Sequence, residues 1–131
     1  MAELVQTIHD PSDGAYATTD DYVHAVEVTG AGRLLYLSGT MGLAPDGTPG
    51  ATLDEQLVLV WANVKAILAS AGMTVDNIVR VTSYLRDAAY AEPNAQARVR
   101  ELGGRLVPTT AIVVGTLTED WLVELEVIAA G

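Results

Sequence analysis

Two short runs constrain this chain more than any other feature. Leu34-Leu-Tyr-Leu37 and Ala111-Ile-Val-Val114 are hydrophobic at every position. An extended strand built from such a run offers apolar side chains to both sides of a sheet, which marks it as buried on both faces. The sequence predicts strands over Leu4–His9, Tyr22–Val28, Leu34–Ser38, Ile78–Arg86, Thr109–Thr116 and Trp121–Ala129, with two helices between them. The order βββαβαββ gives an α+β fold: a single domain over residues 1–131, with one mixed sheet and both helices on one face. Two helices cover only one side of that sheet. A further copy of the chain, in a closed homo-oligomer, would cover the other.

The first helix is marked at both ends. Thr52-Leu-Asp-Glu55 has the spacing of a capping box, in which Thr52 accepts from a free N–H and Glu55 reaches back to the Thr52 N–H. Leu57, Val60, Trp61, Val64 and Leu68 continue as an apolar stripe. Gly72 stands where a left-handed cap is wanted. The second helix is expected over Ala91–Leu102, with Pro93 in its first turn and Gly103-Gly104 ending it. The C-terminal stretch reads as two strands joined by a turn at Leu117–Asp120. In its second strand Val123, Leu125 and Val127 share one face, and Glu124 and Glu126 share the other with Leu122 and Ile128.

Composition removes several kinds of chemistry. There is no cysteine, so thiolate nucleophiles, disulfides and cysteine-based zinc sites are excluded. Only His9 and His24 are present, without metal-ligand spacing, so no metal site is expected. Net charge is −10, with seven dispersed Lys and Arg residues, which disfavours nucleic acid and anionic membranes as partners. No apolar stretch is long enough to span a bilayer and no secretory leader is recognisable, so the chain reads as soluble and cytoplasmic. Ser38 lacks the context of a nucleophile elbow, and Gly39–Gly50 has glycines but no phosphate-loop lysine.

Two carboxylates on one face of an apolar strand admit two readings: a general base facing a pocket, or charges paired with arginines. Pattern alone favours the second, with Arg80 and Arg86 as the expected partners of Glu124 or Glu126 across the sheet. Arg98 and Arg100 are expected to be solvated.

Several stretches together resemble the Rid family, the reactive-intermediate deaminases also called YjgF proteins. These are Tyr22-Val23 before a strand, Leu37-Ser-Gly39 ending one, and Asn63–Gly72 followed by Asp76–Thr82. Asn94, Pro108 and Val123-Glu-Leu-Glu-Val-Ile-Ala129 complete the set. The resemblance spans about Tyr22 to Ala129. It implies a YjgF/chorismate-mutase-like homotrimer with small-molecule clefts between subunits and no cofactor. It also implies hydrolysis of reactive imines or enamines to ammonia and a keto acid. On that basis Glu124 corresponds to the glutamate that activates water. Tyr22, Ser38, Gly39, Asn94, Thr110 and Ile112 correspond to cleft positions. At Thr110 the family deaminases carry an arginine that holds the substrate carboxylate. A threonine there forfeits a charge-assisted bond worth about 1.5–3 kcal/mol, so the standard 2-imino acid reaction is not expected. A non-catalytic metabolite-binding or regulatory trimer is the alternative, and ribonuclease activity ranks below both.

Overall fold

The computed structural model describes residues 4–131. Seven strands and two α-helices follow in the order β1 (Val5–His9), β2 (Ala25–Thr29), β3 (Leu34–Tyr36), β4 (Thr40–Met41), α1 (Leu53–Ser70), β5 (Ile78–Leu85), α2 (Ala91–Glu101), β6 (Thr109–Val113) and β7 (Val123–Ala130). The predicted elements are all present. The residues Tyr22-Val-His24 precede β2 rather than belonging to it, and the loop predicted over Gly39–Gly50 contains the short strand β4.

The ends of α1 form as the sequence requires. Thr52 is extended, and its hydroxyl accepts from Glu55 N at 3.2 Å. The Glu55 carboxylate accepts from Ala51 N at 2.8 Å, one residue beyond the expected Thr52 N–H. Gly72 adopts a φ of 70°, and the next residue, Met73, closes the turn by donating to Leu68 O. That positive φ is what an L side chain resists and glycine accepts.

The main sheet has the order β3-β7-β5-β6, with β4 also on β7, while β1 and β2 pair only with each other. β5 and β6 run parallel and the other pairs are antiparallel, so the sheet is mixed. Here the structure corrects one expectation: β6 and β7 are not a hairpin, because β5 lies between them. Segment 114–122 instead arcs over the end of β5. Val114 N donates to Leu85 O, Arg86 N donates to Leu122 O, and the Arg86 guanidinium donates to Thr116 O and Oγ1. Arg86 is therefore held by this connection and does not meet either glutamate.

The core lies between the sheet and the helices. Leu57, Val60, Trp61, Val64 and Leu68 of α1 meet Val81, Leu85, Val123, Leu125 and Val127 of the sheet. Gln56 is buried among them with its amide fully engaged. Its Nε2 donates to Gly50 O (2.9 Å) and Asp120 O (2.7 Å), and its Oε1 accepts from Leu122 N (2.9 Å). One side chain thus fastens α1 to both loops flanking β4 and β7.

Arg98 is a second correction. It is buried, not solvated, and donates from Nη2 to both Asp21 O (3.0 Å) and Asp21 Oδ2 (2.7 Å). A buried guanidinium needs such partners, since an unpaired one is costly to desolvate.

Among the described residues, no element covers the opposite sheet face. Leu34 (58% exposed), Tyr36 (68%) and Ile112 (44%) stand on it, in line with the double-faced runs. No helix among the described residues is long and apolar enough to cross a membrane.

Candidate functional site

Strand register assembles the polar part of the uncovered face. On β5, Arg80, Thr82 and Tyr84 alternate with the core residues Val81, Ser83 and Leu85. Across to β7, Tyr84 lies opposite Glu124 and Thr82 opposite Glu126. Across to β6, Tyr84 lies opposite Ile112 and Thr82 opposite Thr110. Glu124, Thr110 and Ile112, three of the residues singled out from sequence, therefore share one face.

The Glu124 carboxylate lies against the backbone of Gly39. A Cβ at position 39 would overlap Oε2 of Glu124 and come within 2.8 Å of its Cδ. Only glycine permits this approach, so Gly39 shapes the seat of Glu124. Ser38 and Gly39 also wall a cavity of about 370 Å³ with Met41, Asn63 and Ile67. Ion pairing does not occupy Glu124: among the described residues the pairs are His9–Glu27, Lys65–Glu101 and Arg98–Asp21.

Glu126 accepts a hydrogen bond from Tyr84 Oη at 3.2 Å. Desolvation and then the Glu126 charge, with a smaller contribution from Glu124, hold the Tyr84 phenol above its ordinary pKa, while Arg80 opposes them. The phenol thus remains a hydrogen-bond donor at neutral pH. Tyr84 lies within the strand expected over Ile78–Arg86, but nothing in the local sequence gives it a role. Its relation to the glutamates becomes visible only once the β5–β7 register is known.

Arg80 also departs from expectation. It donates from Nη2 to Thr110 Oγ1 at 2.8 Å, on the β6 side, instead of pairing with a glutamate. Arg105, the next arginine near β6, is unavailable: it donates to Gln6 Oε1, Val75 O and Ile78 O.

Tyr22 and Asn94 form no hydrogen bond or aromatic contact with Glu124 among the described residues. Tyr22 stacks edge-on to His24, with ring centroids 6.1 Å apart. Asn94 is a buried residue of α2, and neither its Oδ1 nor its Nδ2 has a partner among the described residues. The Arg98–Asp21 link ties α2 to the loop that carries Tyr22. A cavity of about 730 Å³ lies between residues 19–21 and α2, and Glu124 does not line it. The histidines take structural roles: His24 Nε2 donates to Tyr16 O at 2.6 Å, and His9 faces Glu27.

The comparisons agree with this architecture. The family model described as Endoribonuclease L-PSP matches residues 13–131. A RutC family protein of Pasteurella multocida is 33% identical over 131 residues, with 96% of this chain and 98% of the relative covered. The RutC family protein YjgH of Escherichia coli is 44% identical over a stretch covering 44% of each chain. For a RutC family protein of Aquifex aeolicus the identity is 42%, over 50% of this chain and 51% of that one. The chain therefore matches about half the length of these two relatives. Among solved structures, the Rid protein family member YyfB of Yersinia pestis superposes with a TM-score of 0.82 at 26% identity, covering 96% of this chain and 98% of that one. RidA from an Antarctic Psychrobacter gives 0.72 at 26% identity, covering 93% and 98%.

A mixed sheet backed by two helices, with a glutamate seated on its open face, defines an α+β protein of the Endoribonuclease L-PSP class. More narrowly, the chain belongs to the Rid/YjgF family, and at the β6 position where the resemblance leads one to expect arginine it carries Thr110.

Proposed function

We propose that this protein acts on a small imine, enamine or related metabolite in a cleft completed by a neighbouring subunit of a homotrimer, without a cofactor. The observation that carries the reading is Glu124: a carboxylate on the open sheet face, seated against Gly39 and unpaired with any cation among the described residues. A carboxylate so held can take a proton from water as the oxygen adds to the C=N carbon. That proton passes to the nitrogen, giving a carbinolamine; the carboxylate can then carry the carbinol O–H proton to the same nitrogen as the C=O bond forms, the C–N bond breaks and ammonia leaves. Tyr84 Oη is a donor one strand away.

The trimer is supported by the exposed Leu34, Tyr36 and Ile112, an apolar surface that a second copy would bury. It also offers a way to complete a site whose Asn94 amide has no hydrogen-bond partner among the described residues. Sedimentation at micromolar concentration tests it, and a monomer would refute it. Catalysis is tested by ammonia release from imines generated in place by an amino-acid oxidase. The expected result is a rate above background that falls at least tenfold in Glu124→Gln. No rate above background, with Glu124→Gln indistinguishable from the parent, refutes the catalytic reading.

Thr110 favours a second reading, a trimer that binds a metabolite without turnover. Thermal stabilisation by a ligand recovered unchanged would support it. The name of the family model points to RNA cleavage, but a net charge of −10 per chain opposes binding to a polyanion.

A further inference from the structure

Arg80 occupies an unusual position among the seven cations of this chain. Arg86, Arg98 and Arg105 are engaged by the backbone or by Asp21. Arg33 donates to Ala71 O, and Lys65 pairs with Glu101. Arg100 is exposed on α2. Arg80 alone is half-buried on the open sheet face, with one neutral partner, Thr110 Oγ1, and no carboxylate partner among the described residues. A guanidinium has five N–H donors in a planar fork, and this contact uses one.

The direction of the side chain matters. Arg80 rises from β5, yet its Nη2 lies 2.8 Å from the hydroxyl of Thr110 on β6. Thr110 accepts this bond and so draws the guanidinium toward β6. Glu124 stands on the same face, across β5 from β6.

We propose that Arg80 is the anion-binding group of this site, oriented by Thr110, and that the ligand carries a carboxylate or similarly forked anionic group. This rests on the reading of Glu124 as the centre of the site. It restores the charge that Thr110 lacks, but delivers it from the neighbouring strand and close to the sheet surface. The specificity follows from bidentate pairing, which Arg supplies and a neutral residue does not.

The test is binding, so it is independent of turnover. The probes are 2-oxobutanoate and its neutral counterpart 2-oxobutanamide, titrated calorimetrically into the intact protein. The carboxylate should bind about 10- to 100-fold more tightly than the amide, the range expected for one charge-assisted contact. Arg80→Gln should abolish that preference, Arg80→Lys should keep part of it, and Arg100→Gln should leave it unchanged. Thr110→Val, which frees the fork without removing the charge, should weaken carboxylate binding less than Arg80→Gln does. A preference that survives in Arg80→Gln, an equal effect of Arg100→Gln, or no preference in the parent protein overturns the proposal. Circular dichroism of each variant guards against loss of fold, and Arg80→Lys supplies a charged variant should Arg80→Gln fail to fold. If the catalytic reading fails while Arg80-dependent binding persists, the site is a receptor for organic anions.

Discussion

Replacing Gln56 by Met keeps most of the side-chain volume and removes all three of its hydrogen bonds. The cost is set by what is left behind. Asp120 is exposed, so its carbonyl can turn to water at a net loss of about 0.5–1.5 kcal/mol. Leu122 N–H and Gly50 O are half-buried and would be left without the partner they have now, at about 1–3 kcal/mol each when fully stranded. Burying a thioether in place of an amide offsets part of this. A net destabilisation of about 2–4 kcal/mol follows. With a urea m-value of about 2 kcal/mol/M, the unfolding midpoint should fall by roughly 1–2 M. Parent and variant must be compared at equal protomer concentration, because association would stabilise both. Amide exchange at Leu122 should accelerate in the same variant, since its N–H loses its acceptor. A midpoint shift corresponding to less than about 0.5 kcal/mol, with Leu122 still protected, would refute the reasoning.

Three further outcomes are expected. Arg98→Ala should cost about 1–3 kcal/mol, less than for a fully buried pair, because Asp21 can regain water; thermal unfolding measures it. Asp21 itself is held below its ordinary pKa of 3.8, first by the Thr19 hydroxyl and then by the charge and hydrogen bond of Arg98, against the opposing effect of burial. A depressed pKa means that Asp21 stabilises the fold above 3.8 and loses that contribution as pH falls through its folded value. Urea midpoints between neutral pH and pH 3 should therefore show a steeper acid loss in the parent than in Asp21→Asn. Gly39→Ala should displace the Glu124 carboxylate into a strained rotamer at about 0.5–1.5 kcal/mol, lowering any Glu124-dependent ammonia release about 2- to 10-fold while the overall fold is retained.

What the sequence disclosed followed its local signals. The Thr52 cap of α1, the glycines ending both helices and the alternation of Val123, Leu125 and Val127 against Glu124 and Glu126 appear as read, while Glu55 reaches Ala51 N–H and not that of Thr52. Each depends on neighbours a few residues away. The failures are failures of partner choice. Strands β6 and β7 are successive in the chain, so they read as a hairpin; only the parallel pairing of β6 with β5 separates them. Arg80 and Arg86 lie on the strand facing both glutamates, and β7 was the natural destination for their charges. Instead they bond to Thr110 and Thr116, on the β6 side. Arg98 looked like one of several surface arginines until Asp21, far off in sequence, met it in space. At the candidate site, Glu124 is singled out by pattern and resemblance together. Tyr84 and the Arg80–Thr110 contact needed the register of three strands, which no local motif encodes.

The position of β7 has a consequence for how this protein is made. It pairs with β3, β4 and β5, and carries Val123, Leu125 and Val127 into the core, although it follows them all in the chain. A growing polypeptide leaves the ribosome with β3 and β5 still lacking their common neighbour, and neither can be satisfied until residues 123–130 emerge. Folding therefore waits on the long-range closures that slow a chain, with unpaired strand edges exposed meanwhile. The nascent chain is most vulnerable to aggregation just before its sheet can close, and a premature stop before residue 123 removes the strand around which the sheet is built.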